Sequence, residues 1–218
     1  MFLGHYAVGF GSKRAAPKTS LGTLILAAQF LDLLWPILVL TGVEHLRLDP
    51  GNTAVTPLDF YDYPISHSLL TVLAWGVVFG LLYSAIQKYR RGGWVVAIGV
   101  VSHWVLDVLS HRPDMPLAPG LAPFIGFGLW YSVPATVIVE VALFAAGVYL
   151  YTGTTIAKDK TGRYAFWSLV AFLAVIYALN LTSPPPPSDR AVAWGALLAW
   201  LFVPWGYWID RHRLPRVA

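Results

Sequence analysis

The chain has 218 residues, of which 57% are apolar and 12% are charged, and its mean hydropathy is +0.61. An average soluble domain carries about 25% charged residues, so this composition argues against a soluble globular protein. The net charge is +4 and cysteine is absent, which excludes disulfides, iron–sulfur clusters and thiolate metal sites.

Seven apolar segments follow one another along the chain. The first, residues 1–12, is short, and the basic residues Lys13 and Arg14 follow it. In a cleavable signal peptide the basic residues precede the apolar stretch, so we expect a re-entrant or interfacial segment instead. The other six are close to the roughly 20 residues that a helix needs to cross a bilayer. They cover residues 21–40, 65–87, 92–110, 124–151, 164–181 and 191–209.

These segments predict an all-α, polytopic membrane bundle of about six transmembrane helices, since helix is the default for a segment that crosses lipid. The fourth segment is longer than the others, and Pro134 is expected to lie in its first turns or to kink it. We expect one transmembrane domain over residues 1–218. Its candidate metal site falls within about residues 1–150, and a C-terminal helical hairpin covers about 160–210.

The loops alternate in charge. Lys and Arg cluster before the first long segment and after the second, fourth and sixth, whereas the loops 41–64, 111–123 and 182–190 are poorer in them. Basic loops favour the cytoplasmic side, so both termini are expected there. The same rule accounts for the net positive charge without a nucleic-acid partner.

Ionisable residues within membrane helices cost several kcal/mol and are usually functional. His103 and Asp107 are four residues apart in the third segment and lie on one helical face, and His111 is expected to continue that face at the helix end. Asp32 in the first segment and His67 at the start of the second add a carboxylate and an imidazole. Together they predict an intramembrane site for a divalent cation. The alternatives are a His–Asp hydrogen bond that only links helices, and a pathway for protons or ions.

Three further residues have two or more interpretations. A re-entrant segment would place His5 beside Asp32 and His103, but His5 could also be a surface residue of an interfacial segment. Glu140 in the fourth segment could be a metal ligand, a general base or a hydrogen-bonded core carboxyl. Arg112 could hold a phosphate oxygen at the mouth of the site or anchor the chain at the interface.

Several short motifs resemble a known family. Gly4-His5, Leu31-Asp32-Leu33, Ser66-His67-Ser68-Leu69-Leu70 and Ser102-His103-Trp-Val-Leu-Asp107 are similar to the YdjM-type family over roughly residues 1–115. That family is described as LexA-binding, inner-membrane-associated, proposed metal-dependent hydrolases. It usually has Pro-Asp-x-Asp at the first carboxylate and His-Arg-Gly before the second histidine motif. This chain has neither, which suggests one metal ion rather than two.

A more distant similarity is to zinc-dependent phospholipase C, whose ligands follow a comparable order of His, Asp and Glu. It implies zinc, phosphoester hydrolysis and a ligand role for His5. The resulting hypothesis is a hydrolase of the inner (plasma) membrane that binds Zn²⁺ or a similar ion, one or two in number. Its substrate is expected to be a lipid or amphiphile carrying a phosphoester, or else an ester or amide. Asp32 or Glu140 would be the general base.

Two other functions remain open from the residues. A small transporter or channel could use Asp32, His103, Asp107 and Glu140 for cation or proton passage, although the absence of an internal repeat is unlike many transporters. The other possibility is an interaction protein whose buried polar network is purely structural.

Overall fold

A computed structural model describes residues 1–216 of the chain, and over these residues it is predominantly helical. Six helical segments are long and apolar enough to cross a membrane, which confirms the predicted all-α polytopic bundle. The last of them is interrupted by a short 3₁₀ turn, Leu198–Leu201. The helices are α1 Leu3–Ala15, α2 Leu21–Leu40, α3 Leu69–Gln87, α4 Arg90–Ser110, α5 Val133–Thr154, α6 Lys160–Thr182, α7 Asp189–Leu197 and α8 Phe202–Arg211.

Antiparallel two-stranded sheets lie at the two ends of the bundle. At one end, here called the hairpin end, β1 (His45–Leu48) pairs with β2 (Leu58–Asp62), and β3 (Met115–Ala118) pairs with β4 (Leu121–Ile125). At the other, here called the basic end, β5 (Thr155–Ala157) pairs with β6 (Arg213–Pro215). The basic end carries the clusters of Lys and Arg, so the structure segregates the loops as their charges predicted.

The predicted segments differ from the helices mainly at the hairpin end. Residues 121–125 pair as a strand and Leu129–Tyr131 form a 3₁₀ turn, so α5 begins only at Val133, and Pro134 lies in its first turn. Proline is tolerated there because the first helical N–H groups have no partner within the helix. Helix α3, which corresponds to the predicted segment 65–87, begins at Leu69 rather than at residue 65.

The short helix α1 packs inside the bundle against α2, α4 and α5, and Tyr6 and Phe10 are almost fully buried. At about 1.5 Å per residue, its 13 residues span about 20 Å, less than the roughly 30 Å of hydrocarbon. Lys13 and Arg14 lie in its last turn, at the basic end. The start of α1 therefore lies in the interior of the bundle, as expected of a re-entrant segment.

Close packing of α1 depends on Gly147 of α5. A Cβ at this position would lie 2.6 Å from the Cα of Ala7, which no ordinary contact allows. The glycine lets the two backbones approach, a common feature of helix pairs in membranes. Large apolar side chains such as Leu81, Ile86 and Ile138 are exposed on the outer faces of the long helices, where lipid would cover them.

Candidate metal centre

Five of the predicted site residues converge in the interior of the bundle, nearer its hairpin end. They come from separate segments: the first turn of α1, the middle of α2, the residues just before α3, and the second half of α4. In chain order they are His5, Asp32, His67, His103 and Asp107.

Asp107 lies between the imidazoles. Its Oδ1 is 3.0 Å from Nε2 of His5, and its Oδ2 is 3.1 Å from Nε2 of His103 and 3.7 Å from Nε2 of His67. Asp32 closes the other side, with Oδ1 3.7 Å from Nε2 of His103 and 3.9 Å from Nε2 of His67.

These contacts form two overlapping groups that share His103: His5, His103 and Asp107, and Asp32, His67 and His103. Within each group the possible ligand atoms lie within 4.8 Å of one another. Zn²⁺ binds nitrogen and oxygen at about 2.0–2.2 Å, so ligand atoms around one ion are separated by about 4 Å or less. Small adjustments would bring either group onto a single ion.

Hydrogen bonds orient the imidazoles of His103 and His67, each of which lies near both Asp32 and Asp107. Nδ1 of His103 lies 2.7 Å from the carbonyl oxygen of Ala28, which can only accept, so Nδ1 carries the proton and donates. When the ring is neutral, Nε2 of His103 carries the lone pair, and this buried atom has no hydrogen-bond partner although it lies 3.1 Å from Oδ2 of Asp107. Nδ1 of His67 lies 2.7 Å from Oγ of Ser66. An outward Nδ1 bond with a free Nε2 is the usual arrangement of a metal-binding histidine.

The site is nearly closed to solvent. His5, His67, His103 and Asp107 are each at most 4% exposed, whereas the side chain of Asp32 is 33% exposed. Trp35 donates from Nε1 to Oδ1 of Asp32 at 3.0 Å. Access to the cluster is therefore from the side of Asp32.

The donor set fits a divalent cation. Two carboxylates and three imidazoles face one another in a buried space, and among the described residues neither Asp32 nor Asp107 pairs with a Lys or Arg side chain. The amino group of Met1 contacts Oδ1 of Asp107 at 2.5 Å, so a cation already neighbours that carboxylate.

His111 lies outside this cluster. The prediction that it continues the α4 face is wrong, because α4 ends at Ser110 and His111 has an extended backbone. Its Nδ1 lies 3.0 Å from Oδ1 of Asp114, and its ring packs against Trp130 with the centroids 4.2 Å apart.

Glu140 and Arg112 also have other partners. Glu140 accepts hydrogen bonds from the backbone N–H groups of Phe2 and Gly4, both at 2.9 Å, and so holds the start of α1. Arg112 pairs with the buried Asp59 and donates from Nε to Asp114 Oδ2 at 3.2 Å. The structure therefore matches Glu140 to the hydrogen-bonded core carboxyl among its alternatives, and it does not bring Arg112 into the cluster.

Glu44, which lies between α2 and β1 and was not among the predicted site residues, is fully buried beside Ser66. Burial raises its pKa, and hydrogen bonds from the hydroxyl and backbone of Ser66 and the backbone of Ile65 oppose that shift. Nothing local marks Glu44, because its partners lie more than 20 residues away along the chain.

A family model described as YdjM inner membrane protein matches residues 3–184. The chain belongs to this YdjM family. The match extends beyond residues 1–115, where the motifs lie, into α5 and α6, and it includes all five converging residues. Together with the six apolar helices, it identifies a multi-pass inner membrane protein. Comparisons with curated proteins and with solved structures gave no match.

Proposed function

We propose that this member of the YdjM family is a metal-dependent hydrolase that cleaves a phosphoester or ester bond of a lipid or amphiphilic substrate. The observation that carries the proposal is the convergence of three imidazoles and two carboxylates in the interior of the bundle, where only Asp32 is partly exposed. Asp107 already contacts the amino group of Met1, whereas Asp32 has no Lys or Arg partner among the described residues, so a cation on this donor set would offset the second negative charge. Zn²⁺ is the first choice because nitrogen and oxygen ligands suit it.

In this proposal a single ion is held by His5, His103 and Asp107 or by Asp32, His67 and His103, and two ions would use both groups. A bound Zn²⁺ lowers the pKa of a coordinated water toward about 7 and polarises the scissile group. The residues of the chain fix the geometry: Ala28 holds the ring of His103 in place, and α1 brings His5 against it with the two rings stacked 3.5 Å apart.

Asp32 is the candidate general base, because it is the one member of the cluster with substantial solvent access. Trp35 donates to Oδ1 and fixes the carboxylate, which leaves Oδ2 to receive the proton of an attacking water. Glu140 is not proposed for this role, since its carboxylate is engaged by backbone N–H groups of α1.

The position of the site favours a substrate that enters from the membrane. The cluster lies among the long helices, whose outer faces carry exposed apolar side chains. A lipid or amphiphile can place its polar bond at this depth while its apolar part stays in hydrocarbon, whereas a polar solute would have to leave water. If the basic end is cytoplasmic, as the loop charges predict, the substrate comes from the outer leaflet.

The test combines metal analysis with hydrolysis of a generic phosphodiester by protein purified in detergent. We expect bound zinc and activity in the wild type, and loss of both in His103→Ala. His45→Ala is the matched control, because His45 also pairs with an aspartate but is exposed in β1. Metal-free wild-type protein after incubation with Zn²⁺ would refute the metal site. Metal binding with cation flux in proteoliposomes but no hydrolysis would favour the transporter instead.

A further inference from the structure

A buried chain of hydrogen bonds runs from Glu44 to His67. The hydroxyl of Ser66 lies 2.6 Å from Oε2 of Glu44 and 2.7 Å from Nδ1 of His67. The other carboxylate oxygen, Oε1, accepts from the backbone N–H of Ile65 at 2.8 Å and of Ser66 at 2.7 Å. Glu44 and Ser66 are fully buried and His67 is nearly so, so water does not compete with these bonds.

The proton positions along this chain follow from its acceptors. Oε1 of Glu44 accepts from two backbone N–H groups, and the Ser66 hydroxyl donates its one hydrogen to Oε2. The hydroxyl oxygen then accepts from Nδ1–H of His67. A neutral imidazole with its proton on Nδ1 has its lone pair on Nε2, the atom that faces Asp32 and Asp107.

We infer that Glu44 and Ser66 are positioning residues that fix the tautomer and the ring orientation of His67, so that Nε2 is presented to a metal ion. The inference rests on the proposed metal site, and it gives a role to a loop residue that lies outside the ligand cluster itself. Partners of this kind keep a metal-binding histidine in the correct tautomer, and their loss typically weakens metal binding 10- to 100-fold.

Replacing Glu44 by glutamine tests which groups donate along these hydrogen bonds. The substitution keeps the shape of the side chain but replaces one acceptor oxygen by a donor NH₂ group. The glutamine oxygen must face the backbone N–H groups of Ile65 and Ser66, since an amide NH₂ there would leave both without an acceptor. Its NH₂ group then points at the Ser66 hydroxyl and donates to it. The hydroxyl in turn donates to Nδ1 of His67, the proton moves to Nε2, and the lone pair no longer faces the site.

The experiment compares Glu44→Gln, Ser66→Ala and Ser66→Thr with the wild type in two measurements. The first is the dissociation constant for Zn²⁺ in detergent. The second is the ¹⁵N spectrum of the metal-free protein with labelled histidine, which reports the tautomer of His67 directly. Ser68→Ala is the matched control, because Ser68 is equally buried on the other side of His67 and bonds Thr71 instead.

We expect Zn²⁺ binding about 10- to 100-fold weaker in Glu44→Gln and Ser66→Ala. Ser66→Thr, which keeps the hydroxyl, and Ser68→Ala should bind like the wild type. In the spectrum, His67 should carry its proton on Nδ1 in the wild type and on Nε2 in Glu44→Gln. If Glu44→Gln fails to fold, the comparison of Ser66→Ala with Ser66→Thr decides.

Wild-type affinity in both Ser66→Ala and Glu44→Gln, with an unchanged tautomer, would overturn the inference and leave the metal site standing. Failure of the wild type itself to bind Zn²⁺ would refute the proposed function. In that case the spectrum alone decides the inference about the tautomer: the Nε2–H form in wild-type protein would overturn it, and the Nδ1–H form would support it.

Discussion

Asp107→Asn is the sharpest perturbation of the candidate metal centre. The substitution keeps the shape of the side chain and one carbonyl oxygen, but it removes the negative charge that offsets a cation. Asp107 belongs to one of the two groups of ligand atoms, and it is the carboxylate that approaches all three imidazoles, at 3.0, 3.1 and 3.7 Å. Apolar helix contacts do not depend on it, and the fold should survive.

The expected effect exceeds the roughly 10- to 100-fold loss typical of residues that only orient a ligand, so we expect Zn²⁺ binding more than about 100-fold weaker. That corresponds to more than about 2.8 kcal/mol at about 1.4 kcal/mol per factor of ten. Metal at about 100 times the wild-type Kd stabilises the wild type by about 2.7 kcal/mol, whereas the same concentration stabilises a 100-fold weaker variant by only about 0.4 kcal/mol.

The assay is thermal unfolding in detergent with and without Zn²⁺, together with the metal content after purification. The wild type should show a clear metal-induced rise in Tm, and Asp107→Asn should show almost none. Asp62→Asn is the matched control, since Asp62 also contacts a histidine but is exposed at the hairpin end. If Asp107→Asn retains both the metal content and the metal-induced shift, Asp107 is not a ligand and the proposed centre is wrong.

Three other outcomes follow from the structure. His111→Ala should keep the wild-type metal content, because His111 lies beyond the end of α4 and bonds Asp114; loss of metal in this variant would place it in the centre after all. Gly147→Ala should lower the unfolding free energy by about 1–3 kcal/mol, since its Cβ would lie 2.6 Å from backbone atoms of α1, and a Tm equal to that of the wild type would contradict the described packing. Single cysteines at Asn52 and Arg91 should react with a membrane-impermeant reagent from opposite sides of the membrane, and labelling of both from one side would refute the predicted orientation.

The sequence by itself determined the six membrane helices and the segregation of their loops. A run of about 20 apolar residues has few ways to satisfy its backbone in lipid, so composition and length are sufficient to predict a helix. The pairing of His103 with Asp107 was also predictable, because a separation of four residues within one helix is a local geometry. The hairpin-end strands were not, because their pairing involves short segments without a clear pattern of alternation.

Only the tertiary structure decided which ionisable residues meet. His5 and His111 both had spacing or position in their favour, yet the return of α1 into the bundle brings His5 against His103, while the end of α4 at Ser110 turns His111 away. Glu44 reaches His67 through Ser66 across more than 20 residues of chain, and Glu140 binds the start of α1. These long-range contacts depend on how the helices pack and on where each helix ends. The spacing of residues along one segment determines neither.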